Sequence, residues 1–113
     1  MTFPEIVGTL TQEGFEGYAV DFRRSIATYY LSAGECVDLP THRIEVAVAP
    51  AFDADAIRAA IKEAQQLVPG YTYKGFCKEV ARAGCAGYVV SFSGRRALYI
   101  GRTAETHVEH FPQ

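Results

Sequence analysis

The densest run of side chains able to do acid–base or metal chemistry is His107-Val108-Glu109-His110. Two imidazoles and a carboxylate could hold a divalent cation. On a strand, however, His107 and Glu109 share one face and His110 points to the other. Neither a Cys-x-x-Cys pair nor a His-Glu-x-x-His helix accompanies them. The spacing describes a hydrated or hydrogen-bonded edge strand, and no metal site is expected. Cys36, Cys77 and Cys85 are the other reactive candidates. A nucleophilic thiolate needs a nearby base and an electropositive, partly exposed setting. Cys77 falls on an apolar helical stripe and Cys85 follows a glycine stop, so both read as small core residues. Three cysteines without a framework spacing read as reduced thiols of a cytoplasmic protein. No Gly-x-Ser-x-Gly, P-loop or Gly-x-Gly-x-x-Gly motif occurs, so no catalytic residue and no cofactor is expected.

Tyrosine and arginine carry the remaining signal. Tyr18, Tyr29, Tyr30, Tyr88 and Tyr99 fall in strand-like runs, and Arg23, Arg24, Arg95, Arg96 and Arg102 fall at their ends. That pairing is the usual composition of interface hot spots, and it also suits stacking on bases. Tyr18 and Tyr88 alternate with Val and Phe and read as core. Tyr29 and Tyr30 are adjacent, so one of them faces away from the other. Tyr30, Arg95 and Arg96 are therefore the candidate interface residues. A site between two halves of the chain could draw on His42, Glu35, Glu105 and His107.

The elements that must position these groups come as a repeat. At an offset of 70, Gly14, Gly17, Tyr18, Val20, Phe22, Ala27, Tyr29 and Glu35 match Gly84, Gly87, Tyr88, Val90, Phe92, Ala97, Tyr99 and Glu105. Each copy reads as a helix, a glycine stop and three short strands. Two copies are too few for a solenoid, so an internally duplicated single domain over 1–113 is expected. Copy one spans about 2–40, a connecting strand and helix 43–68, and copy two about 72–112. Thr2 and Glu5 have capping-box spacing for the first helix. Strands are expected at Tyr18–Arg23, Ile26–Leu31, Glu35–Leu39 and Arg43–Ala49, then at Tyr88–Phe92, Ala97–Gly101 and Thr106–Phe111. In strand two, Ala27/Tyr29/Leu31 and Ile26/Thr28/Tyr30 are both plausible core sets. Helix two is capped by Asp53 or Asp55 and runs to Val68, with Pro69-Gly70 as its stop. Helix three begins near Thr72 and stops at Gly84. Gly94 is expected to supply positive φ in the hairpin at Ser93-Gly94-Arg95. The order implies an α+β fold: a two-layer α/β sandwich, with an antiparallel sheet carrying its helices on one face.

The 113 residues are 49% hydrophobic and carry a net charge of −2. That suits a packed core and argues against a dedicated nucleic-acid binder. No apolar run reaches 18 residues and no signal peptide is evident, so no membrane role is expected.

The block Tyr73-Lys74-Gly75-Phe76-Cys77-Lys78-Glu79-Val80-Ala81-Arg82-Ala83-Gly84, then Gly87-Tyr88-Val89-Val90 and the ending Glu109-His110-Phe111-Pro112, carries a resemblance. So do Tyr18, Tyr29-Tyr30 and Pro40 before Ile44–Val48. Together they resemble the domain-of-unknown-function 1398 family, also called YdfO-like. Its members are small bacterial and prophage-borne proteins, some labelled phage envelope protein. The resemblance implies a two-layer α/β sandwich and no activity, substrate or cofactor. The reading that follows is a non-enzymatic binding module that self-associates as a dimer or meets a protein partner. A small-molecule binder or enzyme with a site between the copies is the alternative. Nucleic-acid binding comes third.

Overall fold

The computed structural model describes residues 3–111. The chain runs α1 (Phe3–Gln12), β1 (Phe15–Asp21), β2 (Ile26–Leu31), β3 (Cys36–Pro40), α2 (Ala54–Gln66), α3 (Tyr73–Arg82), β4 (Cys85–Ser91), β5 (Arg96–Gly101) and β6 (Thr106–His110). It is an α+β fold with one six-stranded antiparallel sheet, ordered β3-β2-β1-β4-β5-β6. The strands form where β-branched and aromatic residues alternate with small or polar ones. β1 and β4 meet at the centre, where Tyr18 pairs with Val90, Ala19 with Val89 and Val20 with Tyr88.

Pairing is the same at positions 70 apart. Tyr18 faces Tyr29 as Tyr88 faces Tyr99, and a bulge falls at Phe15/Gly17 as at Cys85/Gly87. Positive φ recurs at Gly14 and Gly84, Ser25 and Arg95, and Gly34 and Ala104. The left-handed residue of the second hairpin is thus Arg95, with φ of 52°, and not Gly94. Gly94 instead donates its N–H to Ser91 Oγ and leaves Arg95 to make the turn.

Asp53 caps α2 by accepting the Ala56 N–H, and Thr72 caps α3 by accepting that of Gly75. α2 ends at Gln66, with Leu67 itself in the left-handed conformation, so Pro69-Gly70 follows the stop rather than making it. The capping box expected at Thr2, and the final Pro112, lie outside the described residues.

Arg43–Ala49 is not a strand. Its alternation is real: Ile44 and Val46 are half-buried and Val48 is buried. The segment lies along α3 instead of a sheet edge. Glu45 meets Lys74 and Lys78, the Ala49 N–H donates to the Ala81 carbonyl, and the Arg102 guanidinium donates to the Val48 carbonyl. Period-two burial needs only one packed side, whereas a strand also needs a backbone ladder.

Buried residues form one cluster. Helices supply Ile57, Ile61, Phe76, Cys77 and Val80; strands supply Val20, Ala27, Tyr88, Val90, Ala97 and Tyr99. The set of β2 that turns to the helices is Ala27/Tyr29.

Candidate binding face

The residues alternating with that core set lie on the face the helices leave uncovered. Ala19 and Asp21 come from β1, Ile26, Thr28 and Tyr30 from β2, and Cys36, Asp38 and Pro40 from β3. Gly87, Val89 and Ser91 come from β4, Arg96, Leu98 and Ile100 from β5, and Thr106, Val108 and His110 from β6. Tyr30, Val89 and Val108 are each at least 40% exposed. These are the most exposed large apolar side chains of the uncovered face.

The strands at the two ends of this face differ in the charges they carry, with Arg23 and Arg24 following Asp21 just beyond the end of β1. At the β1–β3 end, Asp21 accepts the backbone N–H groups of Arg23 and Arg24, and Asp38 accepts the Thr28 hydroxyl at 2.6 Å. At the β4–β6 end stand Arg96 and His110, directly opposite one another across β5 and β6. The whole chain shows the same division. Residues 1–40 carry six acidic and two basic side chains, and residues 72–113 carry three acidic and six basic.

A hollow of about 280 Å³ sits over the β1–β4 junction. Small Ala19 and Gly87 form its floor, and Asp21, Arg23, Arg24 and Tyr30 line its rim. Sequence reasoning missed it because its floor is a shortage of side chain. The signal was there in Gly17 and Gly87: a Cβ on either would collide with a carbonyl oxygen of the neighbouring central strand.

The structure distributes the candidate residues plainly. Tyr30 and Arg96 share the uncovered face, and Tyr29 turns to the helices, which settles the choice between the two β2 sets. Arg95 lies elsewhere, with its guanidinium carbon 5.6 Å from the centre of the Phe111 ring. His107 and Glu109 face the helices, hydrogen-bonded to each other at 3.0 Å and partly buried. Glu105 is engaged in the β5–β6 turn by Thr103. Glu35 and His42 flank β3, the opposite edge of the sheet from β6. Five strand spacings, roughly 24 Å, separate these edges, so the four polar groups form no common cleft. Among the described residues, no group of three or more His, Cys, Asp or Glu side chains could hold a metal ion. No helix there is long and apolar enough to cross a membrane.

Beneath the face lies a tyrosine network. The Tyr73 and Tyr88 hydroxyls meet at 2.6 Å, and the Tyr18 and Tyr29 rings stand 5.3 Å apart, as do those of Tyr88 and Tyr99. Burial pushes Tyr18 up to about 12, and raises Tyr73, Tyr88 and Tyr99 further. These hydroxyls stay protonated at neutral pH; Tyr88 and Tyr99 belong to the buried core, while the Tyr73 side chain reaches the surface. Burial likewise lifts the Cys85 thiol to about 11 and raises Cys77, which disfavours the thiolate of both at neutral pH.

No curated protein matches the sequence. The sequence profile of one family, described as "Protein of unknown function (DUF1398)", matches residues 1–109 of the chain. The glycine stops, the paired tyrosine strands and β6 as far as Glu109 lie within that match, and the chain belongs to the DUF1398 family.

Proposed function

We propose that this protein is a non-enzymatic interaction module, a two-layer sandwich made by internal duplication, that dimerises through the uncovered sheet face. The charge division of that face carries the reading. A two-fold axis parallel to the strands, between the two apposed sheets, would lay the Asp21/Asp38 end of one protomer on the Arg96/His110 end of its partner, and the reverse. Ile26 and Tyr30 would then meet Leu98, Ile100 and Val108. A same-end arrangement would set like charges together and is disfavoured. Six strands of about five residues make a face of roughly 500 Å², below the ~800 Å² per partner of a standard interface. The dimer is therefore expected in the micromolar range. Three unpaired cysteines support a cytoplasmic setting.

Sedimentation velocity across a concentration series tests this. Wild type is expected to dimerise, and Arg96→Glu or Asp38→Lys to weaken the dimer by about tenfold each. Joining the two substitutions should restore much of the loss. A monomer at about 1 mM would end the proposal, since that bounds the interaction at ~4 kcal/mol.

The hollow over β1–β4 favours one second reading: a small anionic or aromatic ligand held by Arg23, Arg24 and Tyr30. Native mass spectrometry of gently purified protein separates the two. A discrete added mass supports the ligand, and a dimer without one supports the module.

A further inference from the structure

A second surface lies on the helix side of the sheet, and it is defined by what covers its counterpart. Over residues 73–110, α2 (54–66) packs beside α3 and reaches across to β6. Phe76, Val80, Cys85 and Tyr99 are buried there, and His107 and Glu109 are partly covered. The positions 70 residues earlier are Ile6, Leu10, Phe15, Tyr29, Val37 and Leu39, and they line an open apolar groove of about 340 Å³. Ile6, Val37 and Leu39 are 37%, 43% and 49% exposed. The covered unit has a histidine and a glutamate at its edge strand. The uncovered unit has a valine and a leucine, which is the reverse of what water alone would favour.

We infer that this groove, between α1 and the β2–β3 surface, receives an amphipathic helix of a protein partner whose polar flanks are basic. The helical form follows from the counterpart, where a helix contacts α3 and β6 as the occupant would contact α1 and β3. The groove offers side chains and no free backbone ladder, so it does not suit an added strand. The occupant would set an apolar stripe of α2's kind, at i, i+3, i+4 and i+7, on Leu10, Tyr29, Val37 and Leu39. The charge follows from α1. Thr9 lines the groove; Glu5 stands one turn before it in α1, and Glu13, just past the end of α1, donates its N–H to the Thr9 carbonyl. Residues 1–22 contain no lysine or arginine, so the formal charges that α1 and β1 bring to this side are all negative. Lysine or arginine beside the partner's stripe would meet it with complementary charge.

The test uses a designed helical peptide of roughly 16 residues, long enough for four turns. It carries isoleucine at i, i+3, i+4 and i+7 with lysines on both flanks, and a second version carries glutamates in the lysine positions. Binding is read by fluorescence anisotropy against the Arg96→Glu protein, so that face-to-face association does not contribute. The lysine peptide is expected to bind at least about tenfold more tightly than the glutamate one. Leu39→Glu and Val37→Lys, both at exposed edge positions and checked for folding by circular dichroism, should each abolish the difference. Equal binding of the two peptides, or no binding by either at about 1 mM, overturns the inference. So does a drop in oligomeric mass on Leu39→Glu, which would make a second copy the occupant.

Discussion

α1 and α3 stand at corresponding places before β1 and β4, yet α1 buries no side chain while α3 buries Phe76, Cys77, Val80 and Ala81. Turns, bulges and strand register agree between the two units, so the backbone plan does not depend on how well a unit is covered. Coverage comes from the stretch between them. Residues 43–53 run along α3, and α2 packs beside it. The second unit is the cohesive one, and the first keeps the same shape with its apolar side chains half open. A surface that must bind something is best drawn from the less covered region.

The sharpest test of this difference compares two glycines. Gly14 and Gly84 both have positive φ, at 92° and 97°. A Cβ on Gly14 would meet nothing within 4 Å, whereas one on Gly84 would collide with the Ala51 carbonyl oxygen. Gly14→Ala should therefore cost about 1–2 kcal/mol, the left-handed penalty alone. Gly84→Ala should cost more than about 4 kcal/mol, because residues 51–53 must also move. Urea unfolding measures both. Equal losses would mean that this packing does not set the units apart. Val80→Ala and Leu10→Ala extend the comparison into the apolar layer. Val80 is fully buried and its loss should cost about 2–3 kcal/mol; half-exposed Leu10, though larger, should cost about 1. The reverse order would make α1 the better packed helix.

The elements themselves were legible in the sequence because their signals are local. Alternation placed β2, glycines placed the ends of α1 and α3, and the start of α2 was narrowed to Asp53 or Asp55 and that of α3 to the neighbourhood of Thr72. Cys77 and Cys85 were readable as core from helical spacing and a glycine stop. What failed depended on neighbours far along the chain. Ile44, Val46 and Val48 alternate as a strand would, but α3 takes the place a partner strand would need. Gly94 has the freedom for positive φ, but the Ser91 hydroxyl fixes it and Arg95 makes the turn. The binding face was only half legible. Tyr30, Arg95 and Arg96 were named together as candidates, and only Tyr30 and Arg96 fall on it; the hollow on Ala19 and Gly87 arises from pairing β1 with β4, which no local pattern states. His107 sits under the helices rather than in a cleft, since β3 and β6 end on opposite edges.

The tyrosine network gives a smaller, pH-dependent contrast. Tyr73 bonds Tyr88, but its counterpart Phe3 has no hydroxyl and packs edge-on against Phe111 at 5.2 Å. Tyr73→Phe should cost about 1 kcal/mol by leaving the Tyr88 hydroxyl short of a partner, and Phe3→Tyr should be near neutral. Burial raises Tyr18 from 10.0 to about 12, and Tyr73, Tyr88 and Tyr99 shift the same way. The folded state holds these protons more tightly than the unfolded chain. Their contribution is whole below pH 10, and it is lost as pH climbs from 10 towards 12 and above. Unfolding followed at rising pH should show tyrosinate absorbance from this group appearing together with loss of structure. Tyr73→Phe should make the alkaline fall shallower. Ionisation of the group well before unfolding would mean that the layer beneath the sheet is wet.

The thiols give the smallest effect in energy and report opening of the second unit directly. Cys77 and Cys85 belong to that unit and are buried, and Cys36 is exposed on the β3 edge. In the native protein at neutral pH, a thiol reagent should label Cys36 quickly. The other two should react only as fast as the second unit opens, since burial raises both thiols. Cys36→Thr copies the residue found at the corresponding position of β6, Thr106. It should remove the fast phase while changing stability by less than about 0.5 kcal/mol. Gly14→Ala should then leave the slow phase nearly unchanged if the first unit loosens by itself. Faster labelling of Cys77 and Cys85 in that variant would show that both units open together through the β1–β4 pairing. The less covered half would then be held in place by the better packed one.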